Sequence, residues 1–496
     1  VGLAALYTVF TFAPVQGFIE KSRKLRDLYG ASLILSYLTF RLIEKAEAAE
    51  GVQVISPGLP NIQEGMPNRI VLCGVVSIDE YRRTFFEHWR RMLQEVREWI
   101  EHKLPNFEYS WRDEWQHWGN HAWEFFWGQG ASVREAMEDL EARKLGRDWT
   151  AINWTGESSS LSGTDAIAWP GLGRVADVRT RKLNQEKEHI QQFYSALAGL
   201  LDPEGKFLAE NEQLSIPELV KRLVTWPQLA RSLGMTELQG FTELAREQQQ
   251  GVWTGWLMGD GDKIGDRLKS LAQSGDPTAL QNFSEAMRRW GQDFTQLFQR
   301  SDLGRVIYAG GDDFLTVFYR PNATLPAEEI VNWLCEFPEV WRTHGRGVTV
   351  SAGFVWASPN VPQRDILQHC REAEKRAKSL GRNRLTIRVV FGNGQYVEWT
   401  CPWSELEVLQ ECRNWVALYK DLAQLKARYA FVTSGDRVRA DVLLALYGIY
   451  FSEKRQRQLE TEAQDPTKPF NLRDEAAINA WIENLINVGW QLCSST

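Results

Sequence analysis

Six cysteines are all that this 496-residue chain carries. Cys73, Cys335, Cys370, Cys401, Cys412 and Cys493 form no C-x-x-C pair. That spacing speaks against a zinc knuckle, and single scattered thiols suit a reducing compartment. No apolar run reaches the ~18 residues expected of a membrane span, and no secretory leader is visible, so a cytoplasmic protein is expected. Positive charge is not in excess: the net charge is −7. A free-standing nucleic-acid binder held by bulk charge is therefore disfavoured. RNA contact through one local face, or RNA held by partner subunits, stays open. Histidine is scarce, with seven in the chain, and none precedes an aspartate.

What is present is ordinary soluble-protein composition, 43% hydrophobic and 24% charged, over a length that suits several domains. The most informative stretch is Tyr308-Ala309-Gly310-Gly311-Asp312-Asp313-Phe314-Leu315, with apolar arms on both sides. It reads as a β-hairpin with a Gly-Gly turn and an acidic tip. Adjacent ionised carboxylates repel unless a cation sits between them, and oxygen-only ligands suit Mg²⁺ or Mn²⁺. Upstream of it, an apolar strand ends in Gly259-Asp260-Gly261-Asp262 and a helix follows. Asp260 is expected at the strand's end, and the helix start favours a phosphate. A strand-end aspartate beside a hairpin-tip pair is the layout of a two-metal nucleotidyl-transfer site. Each motif alone also fits a plain surface turn.

At these residues the chain resembles the catalytic palm of Cas10/Cmr2, the large subunit of type III CRISPR effector complexes. That palm is related to GGDEF diguanylate cyclases and class III nucleotide cyclases. The resemblance extends to the N-terminus. There the strand Leu6–Phe12 leads into Ala13-Pro14-Val15-Gln16-Gly17, a turn, and a long helix from Phe18 to about Glu50 is expected. This resembles the first palm of Cmr2, with Ala-Pro-Val-Gln standing where the later copy has Gly-Asp-Gly-Asp. The expected fold class is therefore α+β: two ferredoxin-like palms with helical insertions and a C-terminal helical domain.

The expected divisions are a carboxylate-free first palm over 1–80, a Trp-rich helical insertion and loop over 81–185 and a helical linker over 186–250. The catalytic palm follows over 251–395 and the helical domain over 396–496. Residues 81–150 read as helical, with Trp89, Trp99, Trp111, Trp115, Trp118, Trp123 and Trp127 interleaved with Arg and His. A stacking surface for nucleic acid and a hydrophobic core are both readings of that pattern, and the core is the simpler one. Many Cmr2 relatives carry a four-cysteine zinc site in the region corresponding to 151–185; this chain has no cysteine there, so no zinc is expected.

The resemblance implies that Asp260, Asp312 and Asp313 hold two Mg²⁺ or Mn²⁺ ions, with Asp262 as a further ligand or a helix cap. Gly261, Gly310, Gly311 and Ser351 are expected near the nucleotide. Lys378 is expected to bind the triphosphate, with Lys375 as second choice; a solvated basic face is the alternative for both. Ser32 and Ser36 are candidates for an adenine contact, against the reading of helix serines bonded to their own backbone. It further implies ATP as substrate, cyclic oligoadenylate as product, and activation by target RNA. The implied partners are guide RNA, target RNA, Cmr3-like and Cmr4-like subunits and a small helical subunit. Without a His-Asp pair, no HD nuclease and no DNase activity are expected. Two rivals remain: a stand-alone cyclic dinucleotide synthase, and a catalytically silent scaffold subunit.

Overall fold

Alternating β-branched and aromatic residues make Tyr7–Ala13 the first strand, β1. The computed structural model describes the chain apart from residues 1–5, 60–64, 148–153, 155, 175–177, 202–206, 236, 239–243, 245–251, 274–276, 321–322, 431–437, 464–469, 471, 473 and 494–496. Much of the expected helical linker beyond residue 235 lies outside the described residues. The chain divides into two units, Val1–Leu244 with Gly265–Arg289, and Ala245–Ile264 with Trp290–Thr496.

In the first unit β1 is joined by β2 (Gln53–Ser56), β3 (Ile70–Cys73) and β4 (Glu124–Gly130) in the order β2-β3-β1-β4, all antiparallel. Successive residues of β1 face opposite ways, as the pleat requires. Phe10 and Phe12 enter the larger core, with Tyr37, Phe85 and Trp89. Val9 enters a smaller one with Val71, Ala136 and Leu140. The expected single helix after β1 is two, Val15–Glu20 and Leu25–Glu47. Between them the Asp27 carboxylate accepts from the backbone N–H groups of Arg23 and Lys24, which starts the second helix anew.

Residues 81–150 are not wholly helical. Glu124–Gly130 form β4, fully paired with β1 from Tyr7↔Gly130 to Ala13↔Glu124. Trp89, Trp111, Trp115 and Trp123 lie in the core, so the core reading holds for them.

The second unit carries a six-stranded sheet, β10-β9-β8-β5-β7-β6. Its strands are β5 (Thr254–Gly261), β6 (Gly304–Ala309), β7 (Asp313–Phe318), β8 (Val350–Ala357), β9 (Arg384–Val390) and β10 (Tyr396–Pro402). Only β8 and β9 run parallel, joined across helix Gln363–Ser379; a parallel pair needs such a crossover. β10 extends the sheet where the chain reads as already helical. The helices beyond it are Trp415–Ala430, Ala440–Tyr450, Glu453–Ala463 and Glu475–Cys493. Trp481 of the last helix donates from Nε1 to the Thr400 carbonyl of β10 at 2.8 Å. The hairpin is held from behind by aromatic packing: Phe314 lies 5.7 Å from Trp290, 5.5 Å from Phe294 and 5.3 Å from Phe337.

The order β2-β3-β1-β4 repeats as β6-β7-β5-β8, so each unit holds one copy of the same antiparallel core. A glycine marks the same point in both. A Cβ at Gly128 of β4 would lie 2.2 Å from the Ala136 carbonyl, and one at Gly353 of β8 would lie 2.4 Å from the Cys370 carbonyl. In each copy the helix after the strand sits directly on the bare backbone. Gly128 pairs with Val9, and Gly353 with Met258. This aligns Thr11 with Asp260.

Candidate functional site

Asp260 is a register partner of Asp313 across β5 and β7, and of Ser351 across β5 and β8. The acidic hairpin tip and the end of β5 are therefore brought side by side by sheet pairing. The Gly261 N–H donates to the Asp312 carbonyl at 2.8 Å, which fastens the turn to the strand end. Inside the turn the Gly310 N–H donates to the Asp313 carbonyl at 2.9 Å. A Cβ at Gly310 would lie 2.8 Å from Asp313 Oδ1, and Gly311 has φ +139°. Side chains at these two positions would clash with the carboxylate or strain the backbone.

In the first unit the aligned position lacks this chemistry. Thr11 Oγ1 accepts from Asn68 Nδ2 at 3.1 Å. A hydroxyl stands where the second unit has Asp260.

Lys378 reaches this strand end from helix Gln363–Ser379. Its Nζ forms ion pairs with both Asp260 and Glu374, the latter one helical turn before it. Burial works against the lysine's charge, but the hydrogen bonds and charges of Asp260 and Glu374 outweigh it and raise its pKa. Burial raises the Asp260 carboxyl above its usual range, with Lys378 opposing and Asp262 reinforcing. Glu374 is raised by burial in the same way. Tyr308, at the end of β6, is held well above a normal phenol by burial and then by the charges of Asp313, Asp260 and Glu374. Lys375 is exposed on the same helix and is not brought to Asp260.

Asp262, expected as a metal ligand or helix cap, is engaged elsewhere. Its carboxylate accepts from Ser351 Oγ at 2.6 Å, Thr349 Oγ1 at 2.8 Å and the Asn383 N–H at 2.9 Å. It is 7% exposed, and its own N–H donates to the Thr349 carbonyl. Asp262 thus ties β5 to β8 and to the start of β9. Ser351, expected near the nucleotide, is fully buried and spends its hydroxyl on this tie. Ser32 and Ser36 lie on helix Leu25–Glu47 of the first unit. Ser36 is fully buried and its hydroxyl has no hydrogen-bond partner among the described residues, so it lacks the expected backbone bond.

Among the described residues no group of three or more His, Cys, Asp or Glu side chains converges on one metal position. The donor set nevertheless fits Mg²⁺ or Mn²⁺. Such ions are usually held by one or two carboxylates together with substrate phosphates and water. Asp260 and Asp313 supply all-oxygen donors in register, and a cation, the Lys378 ammonium, already sits against Asp260. Glu374 and Tyr308 are the residues that sequence reasoning missed. The Glu374-x-x-x-Lys378 spacing was the available signal for the first.

Among the described residues no helix is long and apolar enough to cross a membrane. No curated protein matches the sequence. Among solved structures, a chain of the type III-B Cmr-beta complex in its apo state is 11% identical, with TM-score 0.62 over 98% of this chain and 82% of that one. Cmr-beta bound to cognate target RNA is also 11% identical, with TM-score 0.57 over 98% and 83%. The Csm1-Csm4 cassette in complex with pppApApA is 13% identical, with TM-score 0.50 over 98% and 69%. These show a shared fold. Two family models match the sequence itself, the N-terminal region of CRISPR-associated protein Cmr2 over residues 7–97 and the second palm domain of Cas10/Cmr2 over residues 253–386. Matched in this order, one in each palm-like sheet, they make these two regions of the chain similar to the Cas10/Cmr2 family.

Proposed function

We propose that this chain is the large subunit of an RNA-guided type III CRISPR complex, and that its second palm joins ATP into cyclic oligoadenylate when target RNA binds. The observation that carries this is the register pairing of Asp260 with Asp313 beside Lys378. A structure of the same fold, the Csm1-Csm4 cassette, has been solved with pppApApA, a linear triadenylate with a 5′-triphosphate.

In the reaction the 3′-hydroxyl of one nucleotide attacks the α-phosphorus of another. A P–O bond forms, the bond to the β-phosphate oxygen breaks, pyrophosphate leaves with the bonding electrons, and the hydroxyl proton is lost. Asp260, Asp312 and Asp313 would hold Mg²⁺ or Mn²⁺, which would supply activation of the hydroxyl and neutralisation of charge on the leaving group. Lys378 exchanges Asp260 for a phosphate oxygen while Glu374 keeps its amine in place. The side-chain-free Gly310 and Gly311 let the hairpin backbone come close to the nucleotide. Guide RNA, target RNA and the other effector subunits, Cmr3-like and Cmr4-like among them, complete the active assembly.

The test is mass spectrometry of the products from ATP with Mg²⁺ or Mn²⁺. The chain is assayed alone and within its guide-RNA complex, with and without matching target. Cyclic oligoadenylate formed only with target, and lost in Asp312→Ala/Asp313→Ala, is the expected result. Product from the isolated chain irrespective of RNA points to a stand-alone synthase. A complex that binds target and yields no product refutes the synthase reading and leaves a scaffold.

A further inference from the structure

We propose that a cleft in the first unit binds the phosphate of a nucleotide, at a site separate from the palm carboxylates. Helices Ile78–Lys103 and Arg112–His121 border a cleft of about 360 Å³, half open to solvent and lined among others by Arg90, Arg97, Glu98, Arg112, Trp115 and Asn120. That is a volume at the small end of the range for ligand pockets. Three guanidinium groups face one carboxylate there, so the lining is cationic in a chain whose net charge is −7.

The pairing within the cleft is incomplete. The Arg97 side chain is 12% exposed, and its one ion pair is a 3.4 Å contact to Glu98, which is 54% exposed. Glu98 is also shared: the same oxygen accepts from Gln94 Nε2 at 2.8 Å. Arg90 donates from Nε to Asn120 Oδ1 at 3.1 Å, which orients its fork and leaves the terminal amines unpaired among the described residues. Arg112 has no ion-pair or hydrogen-bond partner among the described residues. The indole N–H of Trp115, a residue 3% exposed, also lacks an acceptor among them.

A largely buried cation with one long, shared partner is unfavourable unless another anion completes it. Arginine forks match phosphate oxygens two at a time, which a carboxylate-poor protein cleft does not otherwise explain. A phosphate bridging Arg97 and Arg112 would neutralise the excess charge. The remaining space and the amide side chains of Gln94, Gln116 and Asn120 suit the sugar of the same nucleotide.

Calorimetric titration of the Asp312→Ala/Asp313→Ala chain in EDTA keeps the palm out of the measurement. The probes are AMP and a five-nucleotide single-stranded RNA. Saturable binding is expected, weakened at least tenfold by Arg97→Gln and also weakened by Arg112→Gln. Arg97→Lys should retain part of it, because the charge stays while the fork is lost. AMP binding assigns the phosphate to a free nucleotide; RNA binding without AMP binding, lost in the same variants, assigns it to a strand. Arg112 is exposed, so its variant keeps the test valid if Arg97→Gln fails to fold. Absence of binding by both probes, or binding unchanged in folded Arg112→Gln and Arg97→Gln, overturns the proposal. Neither result bears on nucleotide synthesis by the palm.

Discussion

Replacing Asp262 with alanine should act on stability first, unlike replacing its neighbours in the acidic motif. The Asp262 carboxylate accepts three hydrogen bonds, at 2.6, 2.8 and 2.9 Å, from Ser351, Thr349 and the Asn383 backbone. Hydrogen bonds to a charged group contribute roughly 1.5–3 kcal/mol each, and removing the acceptor leaves buried donors unsatisfied. The three share one carboxylate, so they do not add, and loss of Asp262 also relieves its repulsion of Asp260. A net loss of about 3 kcal/mol is expected, or about 6–12 °C in melting temperature at the sensitivity usual for a domain of this size. Asp262→Asn should fall between, because its amide turns donors toward Thr349 or the Asn383 N–H. Asp313→Ala, at an exposed hairpin tip, should leave the melting temperature unchanged and remove the stabilisation that Mn²⁺ with ATP gives the wild type. The assay is a thermal melt of each variant with and without Mn²⁺-ATP. Asp262→Ala that melts with the wild type, yet loses the ligand-induced shift, would refute the anchor role and return Asp262 to the metal ligands.

Gly353→Ala should push helix Gln363–Ser379 off the sheet, because the new methyl would meet the Cys370 carbonyl at 2.4 Å and the Glu374 N–H at 2.6 Å. Overpacking of this kind costs about 1–3 kcal/mol; the same shift withdraws Lys378 from Asp260, so nucleotide affinity measured by calorimetry should fall as well as the melting temperature. Phe314→Ala, behind the hairpin, should cost about 3–5 kcal/mol by chemical denaturation, since its ring is fully buried among Trp290, Phe294 and Phe337. The Glu374 pKa is raised in the fold by burial, so its ionisation is opposed in the native state. That penalty is absent below the ordinary glutamate range and complete above the raised value. Melting temperatures followed from pH 4 to pH 7 should therefore show the wild type losing ground to Glu374→Gln as pH rises; a wild type that gains on the variant over that range would mean that the Lys378 pairing dominates.

The chemistry of the second palm was legible in local sequence because its key features are local. Gly310-Gly311-Asp312-Asp313 specify a tight acidic turn by backbone freedom and polarity, and the alternating apolar arms specify its strands. Asp260 at the end of an apolar run is equally local. The helix–helix break at 21–24 and the strand Glu124–Gly130 were not legible. Glu-Phe-Phe-Trp-Gly-Gln-Gly has no clear alternation and lies among helical, Trp-rich segments, and it becomes a strand by pairing with β1. β10 likewise exists because β9 offers it an edge.

The sequence by itself determined the turn chemistry, the apolar periodicity and the loss of carboxylates from the first copy. Tertiary structure alone decided which acids share a site, because that depends on strand register and helix docking between residues far apart in the chain. Register sets Asp260 against Asp313, and the bare backbone of Gly353 lets a helix descend until Lys378 meets Asp260. It also withdrew Asp262, whose neighbours in sequence suggest a ligand but whose carboxylate is consumed by Thr349, Ser351 and Asn383. A carboxylate's role follows from which donors surround it, and those donors come from strands that only folding brings together.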